Sequence, residues 1–128
     1  MAEHYLLDTH SLIWFQENNP QTSDLAMELI QNPENEVLFS RISLYEISIK
    51  QKIGKLPAFY ASIEEVYQQA LNDKFTFVPI LNQHIYNYNN VPMLGDHRDL
   101  FDRLLIATAL RRIQSFYLPI KNLIYTMI

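Results

Sequence analysis

Residues 4–14 read His4-Tyr5-Leu6-Leu7-Asp8-Thr9-His10-Ser11-Leu12-Ile13-Trp14. A short apolar run bounded by a polar residue suits a buried strand. This one runs directly into an acid. The residues after it, from about Ser11 to Gln16, suit a helix that Asn18-Asn19-Pro20 stops. Asp8 therefore stands at the end of the first strand, where the chain turns.

The same order of strand, polar junction and helix recurs outward along the chain. Ser23 can cap a helix whose Leu25, Ala26, Leu29 and Ile30 fall at helical spacing. Asn32-Pro33-Glu34-Asn35 reads as a turn, and Val37-Leu38-Phe39 as a second buried strand. Ser40 and Ser43 open an amphipathic helix with apolar Leu44, Ile47 and Ile49, and Gly54 closes it as a C-terminal cap would. A further helix is expected from about Ser62 to Asn72. The third strand, Phe75 to Ile80, alternates Phe75 and Phe77 against Thr76 and Val78. Gln83 to Asn90 reads as helical. The clearest helix is Asp99 to Arg112, with Phe101, Leu104, Leu105, Ala107, Thr108 and Ala109 on a broad apolar face. Short strands alternating with helices predict an α/β fold, a mostly parallel sheet with helices on both faces. In such sheets ligands bind outside the carboxyl ends of the strands.

The bulk composition narrows the function classes. A chain of 128 residues fits one domain, 1–128, large enough to bury a core without staples. There is no cysteine, which removes disulfide frameworks and Cys-based zinc sites and suits a reducing compartment. No apolar run is long enough for a membrane span, and residues 1–5 carry no signal-peptide pattern, so a cytoplasmic protein is expected. The formal net charge of −4 argues against a passive nucleic-acid coat. It leaves room for an enzyme whose metal supplies local positive charge. The two glycines, Gly54 and Gly95, cannot make a Gly-rich phosphate loop.

Three settings aim acids at the carboxyl edge of the expected sheet. Asp8 ends the first strand, Glu46 lies early in the helix after the second, and Asp99 and Asp102 open the last clear helix. Converging carboxylates repel one another unless a cation joins them, and an all-oxygen set suits Mg²⁺ or Mn²⁺. Each acid also has a plainer reading. Asp8 can cap the following helix. Glu46 stands three residues after Ser43, the spacing of a capping box, and Asp102 stands likewise after Asp99. Taken singly, capping is the better account of each. Capping does not require that all of them share one edge.

Other polar residues carry weaker signals. His10, His84 and His97 lack the i, i+4 spacing of helical metal ligands, so surface or structural roles are expected. Trp14 is expected in the core, with a partner surface as the alternative. Tyr86 and Tyr88 are the aromatics best placed to stack on bases. An aspartyl phosphatase built on Asp8 would want a second acid two residues on, where His10 stands.

Three stretches together resemble the PIN domains, and most closely the VapC-type toxin ribonucleases of bacterial toxin–antitoxin pairs. They are residues 5–14, the run SRISLYEISIKQKIGK at 40–55, and HRDLFDRLLIATAL at 97–110. The resemblance spans about residues 4–112 in order and with normal spacing. The third stretch is the most specific. The resemblance implies a PIN-like three-layer sandwich around a sheet of 4–5 strands. It implies an endoribonuclease that uses Mg²⁺ or Mn²⁺ to activate water against RNA phosphodiesters. The family's metal-binding and catalytic acids fall on Asp8, Glu46 and Asp102, with Asp99 an auxiliary metal ligand. A homodimer and a cognate antitoxin that inserts into the active-site groove are implied as partners. Lys50, Lys52, Arg98 and Arg103 lie near these stretches and either contact phosphate or form a solvated basic face.

The resemblance fails at the end of the chain. Residues 113–128, IQSFYLPIKNLIYTMI, contain no acid, so the family's fourth acidic position is missing. A shift of reading frame near Ile113 is one account: a permitted back-translation, read one nucleotide earlier, yields a strand, a Ser-Ala-Asp turn and a Phe. The other is a natural variant with a different last strand. Either way fewer anionic ligands would face a metal. The alternative function is then an impaired PIN-fold protein that still dimerises and binds its antitoxin.

Overall fold

The structure is a computed structural model that describes residues 4–90 and 100–112. Three strands, β1 (His4–Leu6), β2 (Glu36–Ser40) and β3 (Thr76–Val78), form one parallel sheet in the order β1-β2-β3. Leu6 pairs with Leu38, and Ser40 with Val78. The Leu7 N–H extends the first pairing by donating to the Leu38 carbonyl at 2.9 Å.

Strands of a parallel sheet are covered on both faces, and β2 shows it in its two-residue period. Val37 and Phe39 pack into one core cluster with Leu7, Leu12, Ile47 and Phe75. Leu38, between them, packs into a second cluster with Leu6, Val78, Leu105 and Ile106. The expected split of Phe75 and Phe77 from Val78 follows the same alternation. The third strand is shorter than expected. The Phe75 N–H is taken by the Ala70 carbonyl at 3.0 Å, and Pro79, which has no N–H, follows Val78.

Helices α1 (Thr9–Glu17), α2 (Asp24–Gln31), α3 (Arg41–Lys52) and α4 (Ile63–Asn72) connect the strands. Ser23 caps α2, its Oγ accepting from the Ala26 N–H at 3.1 Å. Ser62 caps α4 in a reciprocal box with Glu65. The Ser62 backbone N–H, and then its hydroxyl, hold the exposed Glu65 carboxyl below the usual carboxylate range. A depressed carboxyl pKa contributes stability above its unfolded value, and the contribution fades as pH falls through the lowered one. After β3 come α5 (Asn82–Asn87), a 3₁₀ turn at Tyr88–Asn90, and α6 (Leu100–Arg112). Three of the expected 4–5 strands lie in the described residues; the strand expected after 112, and Gly95, lie outside them.

Gly54 ends α3 as expected. Its φ is +76°, its N–H donates to the Gln51 carbonyl, and the Lys55 N–H donates to that of Lys50. A Cβ there would meet nothing within 4 Å. Gly54→Ala therefore adds backbone strain without a clash. We expect a loss of about 1 kcal/mol in urea unfolding.

Candidate functional site

Because β1 and β2 are parallel neighbours, their carboxyl ends lie side by side. The chain leaves β1 through Leu7 and Asp8 into α1, and leaves β2 through Ser40 into α3. Asp8 is the N-cap of α1. It is buried, and its Oδ1 accepts from the Ser11 N–H at 2.8 Å. The cap begins α1 two residues earlier than the sequence suggested. The positive end of the helix dipole also favours a carboxylate there.

Glu46 sits in the second turn of α3 and is 2% exposed. The capping-box alternative for Glu46 does not hold. The N-cap of α3 is Ser40, whose Oγ accepts from the Ile42 N–H at 3.0 Å, and Ser43 lies inside the helix. Ser43 and Glu46 are one turn apart and face the start of α1. The Thr9 hydroxyl lies 2.6 Å from Glu46 Oε1 and 3.1 Å from Ser43 Oγ. A hydroxyl has one proton, and the shorter contact assigns it to the carboxylate. Ser43 then donates to Thr9. Glu46 Oε2 is paired with Lys50 Nζ at 2.7 Å, one turn further on. The order Glu then Lys at i, i+4 is the favourable one on a helix.

Thr9 follows Asp8 directly, so this network joins the two strand ends. A carboxylate at 2% exposure is costly to bury unless charge and hydrogen bonds compensate it. Thr9 and Lys50 do so here. Thr9→Val keeps the volume and removes the donor. We expect it to destabilise the protein by about 1–3 kcal/mol in chemical denaturation, the usual penalty for a buried polar group left short of a partner.

The two remaining acids are not placed. Asp99 and the side chain of Asp102 lie outside the described residues. The helix that bears Asp102 is nonetheless anchored near Glu46. Phe101, the residue before Asp102, meets Tyr45, the residue before Glu46, edge to face with ring centroids 6.1 Å apart. Among the described residues no three His, Asp or Glu side chains cluster as a metal site would require. The structure thus brings Asp8 and Glu46 to one edge. Their donor atoms are all oxygen, a set that fits a hard divalent cation rather than a soft one. Ser11 adds a further buried hydroxyl beside Asp8, with no hydrogen-bond partner among the described residues.

Several weaker expectations change. Arg103 is buried. Its Nε donates to the Tyr88 hydroxyl at 3.2 Å, and its guanidinium lies 4.8 Å over the Tyr88 ring. It packs against Tyr88 rather than forming part of a solvated basic face, and Tyr88 is half-buried with its ring engaged by Arg103. Tyr86 and Lys52 are exposed; Arg98 and His97 lie outside the described residues. His84 is structural, its Nδ1 accepting from the Leu81 N–H at 3.0 Å at the start of α5. His10 is exposed and meets the edge of Trp14, which packs against the core. Sequence reasoning missed Thr9 and Ser43, since nothing local to either residue signals a bond across 34 or 37 positions. The Glu46–Lys50 spacing could have disclosed that pair.

Among the described residues no helix is long and apolar enough to cross a membrane. The sequence matches the PIN domain family over residues 5–114, most of the chain. No curated protein and no solved structure matches it.

Proposed function

The chain belongs to the PIN-domain family, whose members are generally metal-dependent nucleases, and on that premise we propose that it is a Mg²⁺- or Mn²⁺-dependent endoribonuclease of the VapC toxin type. In this reading it acts in the cytoplasm as a homodimer and is neutralised by a cognate antitoxin. The observation that carries the proposal is the pair of buried carboxylates, Asp8 and Glu46, joined through Thr9 at the carboxyl edge of the sheet.

Asp8, Glu46 and Asp102 would hold the cation, with Asp99 auxiliary. When bound, the cation lowers the pKa of a water and supplies positive charge at the phosphodiester. The chain's own residues set the geometry. The Ser11 N–H fixes the rotamer of Asp8, and the Thr9 hydroxyl fixes that of Glu46. Supporting hydrogen bonds of this kind orient metal ligands. Exposed Lys52, in the last turn of α3, is available to the substrate's phosphates.

One observation favours a second reading, a PIN-fold protein that binds its antitoxin but cleaves poorly: residues 113–128 contain no acid. Incubation of the purified chain with structured RNA separates the two. The nuclease reading expects cleavage in Mg²⁺ or Mn²⁺ and none in chelator. Tight antitoxin binding without cleavage under either condition would favour the second.

A further inference from the structure

Both oxygens of Glu46 are engaged, Oε1 by the Thr9 hydroxyl at 2.6 Å and Oε2 by the Lys50 ammonium at 2.7 Å. The Glu46 side chain is 3% exposed and that of Lys50 25%. We propose that Lys50 is an internal counter-cation that occupies Glu46 when no metal is bound and competes with the divalent ion for it. The proposal rests on the metal-centre reading above.

The reasoning begins with burial. A carboxylate this enclosed is costly to bury, and positive charge beside it offsets that cost in the metal-free protein. The chain supplies that charge from one helical turn away. A Mg²⁺ ion requires oxygens at about 2.0–2.1 Å and tolerates little distortion. An ammonium already seated on Glu46 repels an arriving dication, and the repulsion is strong because little water screens it. Lys50 must therefore withdraw before Glu46 Oε2 can serve a metal. Its partial exposure provides a path, and the four-carbon stem is flexible enough to take it. The ion pair thus holds Glu46 oriented at low metal concentration and sets the concentration at which metal replaces it. Lys50 is a positioning residue for Glu46 rather than one of the phosphate contacts that its place in the sequence suggested.

The test is calorimetric titration of Mn²⁺ into the metal-free full chain and its Lys50→Gln and Lys50→Arg variants. Lys50→Gln keeps a hydrogen-bond donor and removes the charge, and should bind Mn²⁺ about five- to tenfold more tightly. Lys50→Arg keeps the charge and should stay within about twofold of the parent on the same scale. The metal-free melting temperature of Lys50→Gln should fall, and Mn²⁺ should restore it. If the parent binds Mn²⁺ and Lys50→Gln binds it equally or more weakly, the competing role of Lys50 is overturned while the metal centre stands. If neither binds Mn²⁺, the metal centre falls and the proposal with it. Should Lys50→Gln be unfolded without metal, circular dichroism decides: refolding driven by Mn²⁺ supports the competition, and its failure overturns it.

Discussion

Asp8→Asn is expected to abolish metal-dependent RNA cleavage while leaving the fold intact. Asn has the shape of Asp and is an equally good N-cap, so its Oδ1 can go on accepting from the Ser11 N–H. The negative charge is lost, and the second carboxylate oxygen becomes an amide donor. A catalytic cation contributes several kcal/mol of transition-state stabilisation, and each factor of ten in rate is about 1.4 kcal/mol. Even partial loss of the ion should slow cleavage by about a hundredfold or more. The melting temperature should barely move, because the change leaves the packing and the cap in place. Rates on structured RNA, paired with a melt of the same preparation, make the comparison. Cleavage by Asp8→Asn at the parent's rate would reduce Asp8 to a helix cap. A collapse in stability alongside lost activity would mean that the charge serves the fold.

The second large effect is structural. Phe39→Ala should destabilise the protein by about 3–5 kcal/mol, the usual range for deleting a buried aromatic ring. Phe39 is fully buried on the central strand. Its ring centroid lies 5.9 Å from that of Tyr67 and 5.4 Å from that of Phe77. Such aromatic pairs contribute beyond their buried area. A domain's net stability is only about 5–15 kcal/mol, so the loss would remove a large part of it. Because β2 leads straight into α3, loosening Phe39 should also disturb Glu46. The urea midpoint reads the effect, and a shift equivalent to less than about 1 kcal/mol would show that this cluster does not hold the central strand.

How far the sequence could be read depends on how far each signal reaches along the chain. The cap at Ser23 and the left-handed Gly54 were legible because cap and helix are within a few residues of each other, whereas the capping box of Ser62 with Glu65 emerged only in the structure. The first two strands were legible as short apolar runs and the third as the alternation of Phe75 and Phe77 against Thr76 and Val78. Element ends were less so. Pro79 trimmed β3, and Asp8 began α1 early, since a cap and a strand's last residue are the same kind of position in sequence. Ser43 shows the limit of spacing: Ser-x-x-Glu at 43–46 has the form of a capping box, yet Ser40 already starts the helix. Arg103 shows the limit of charge, since a basic residue next to Asp102 turned out to be buried against Tyr88.

By itself the sequence determined the α/β class, the order of the described strands and helices, and the acid that follows the first strand. These follow from apolar periodicity and turn chemistry, which act over a few residues. Only the tertiary structure decided which side chains meet. The parallel pairing of β1 with β2 sets the starts of α1 and α3 side by side. That placement lets Thr9 reach Glu46 and makes a lone acid part of a network. It also buries Glu46, and burial turns an ordinary Glu–Lys helical pair into a charge the fold must balance. Desolvation is a property of the folded environment, and no window of sequence contains it.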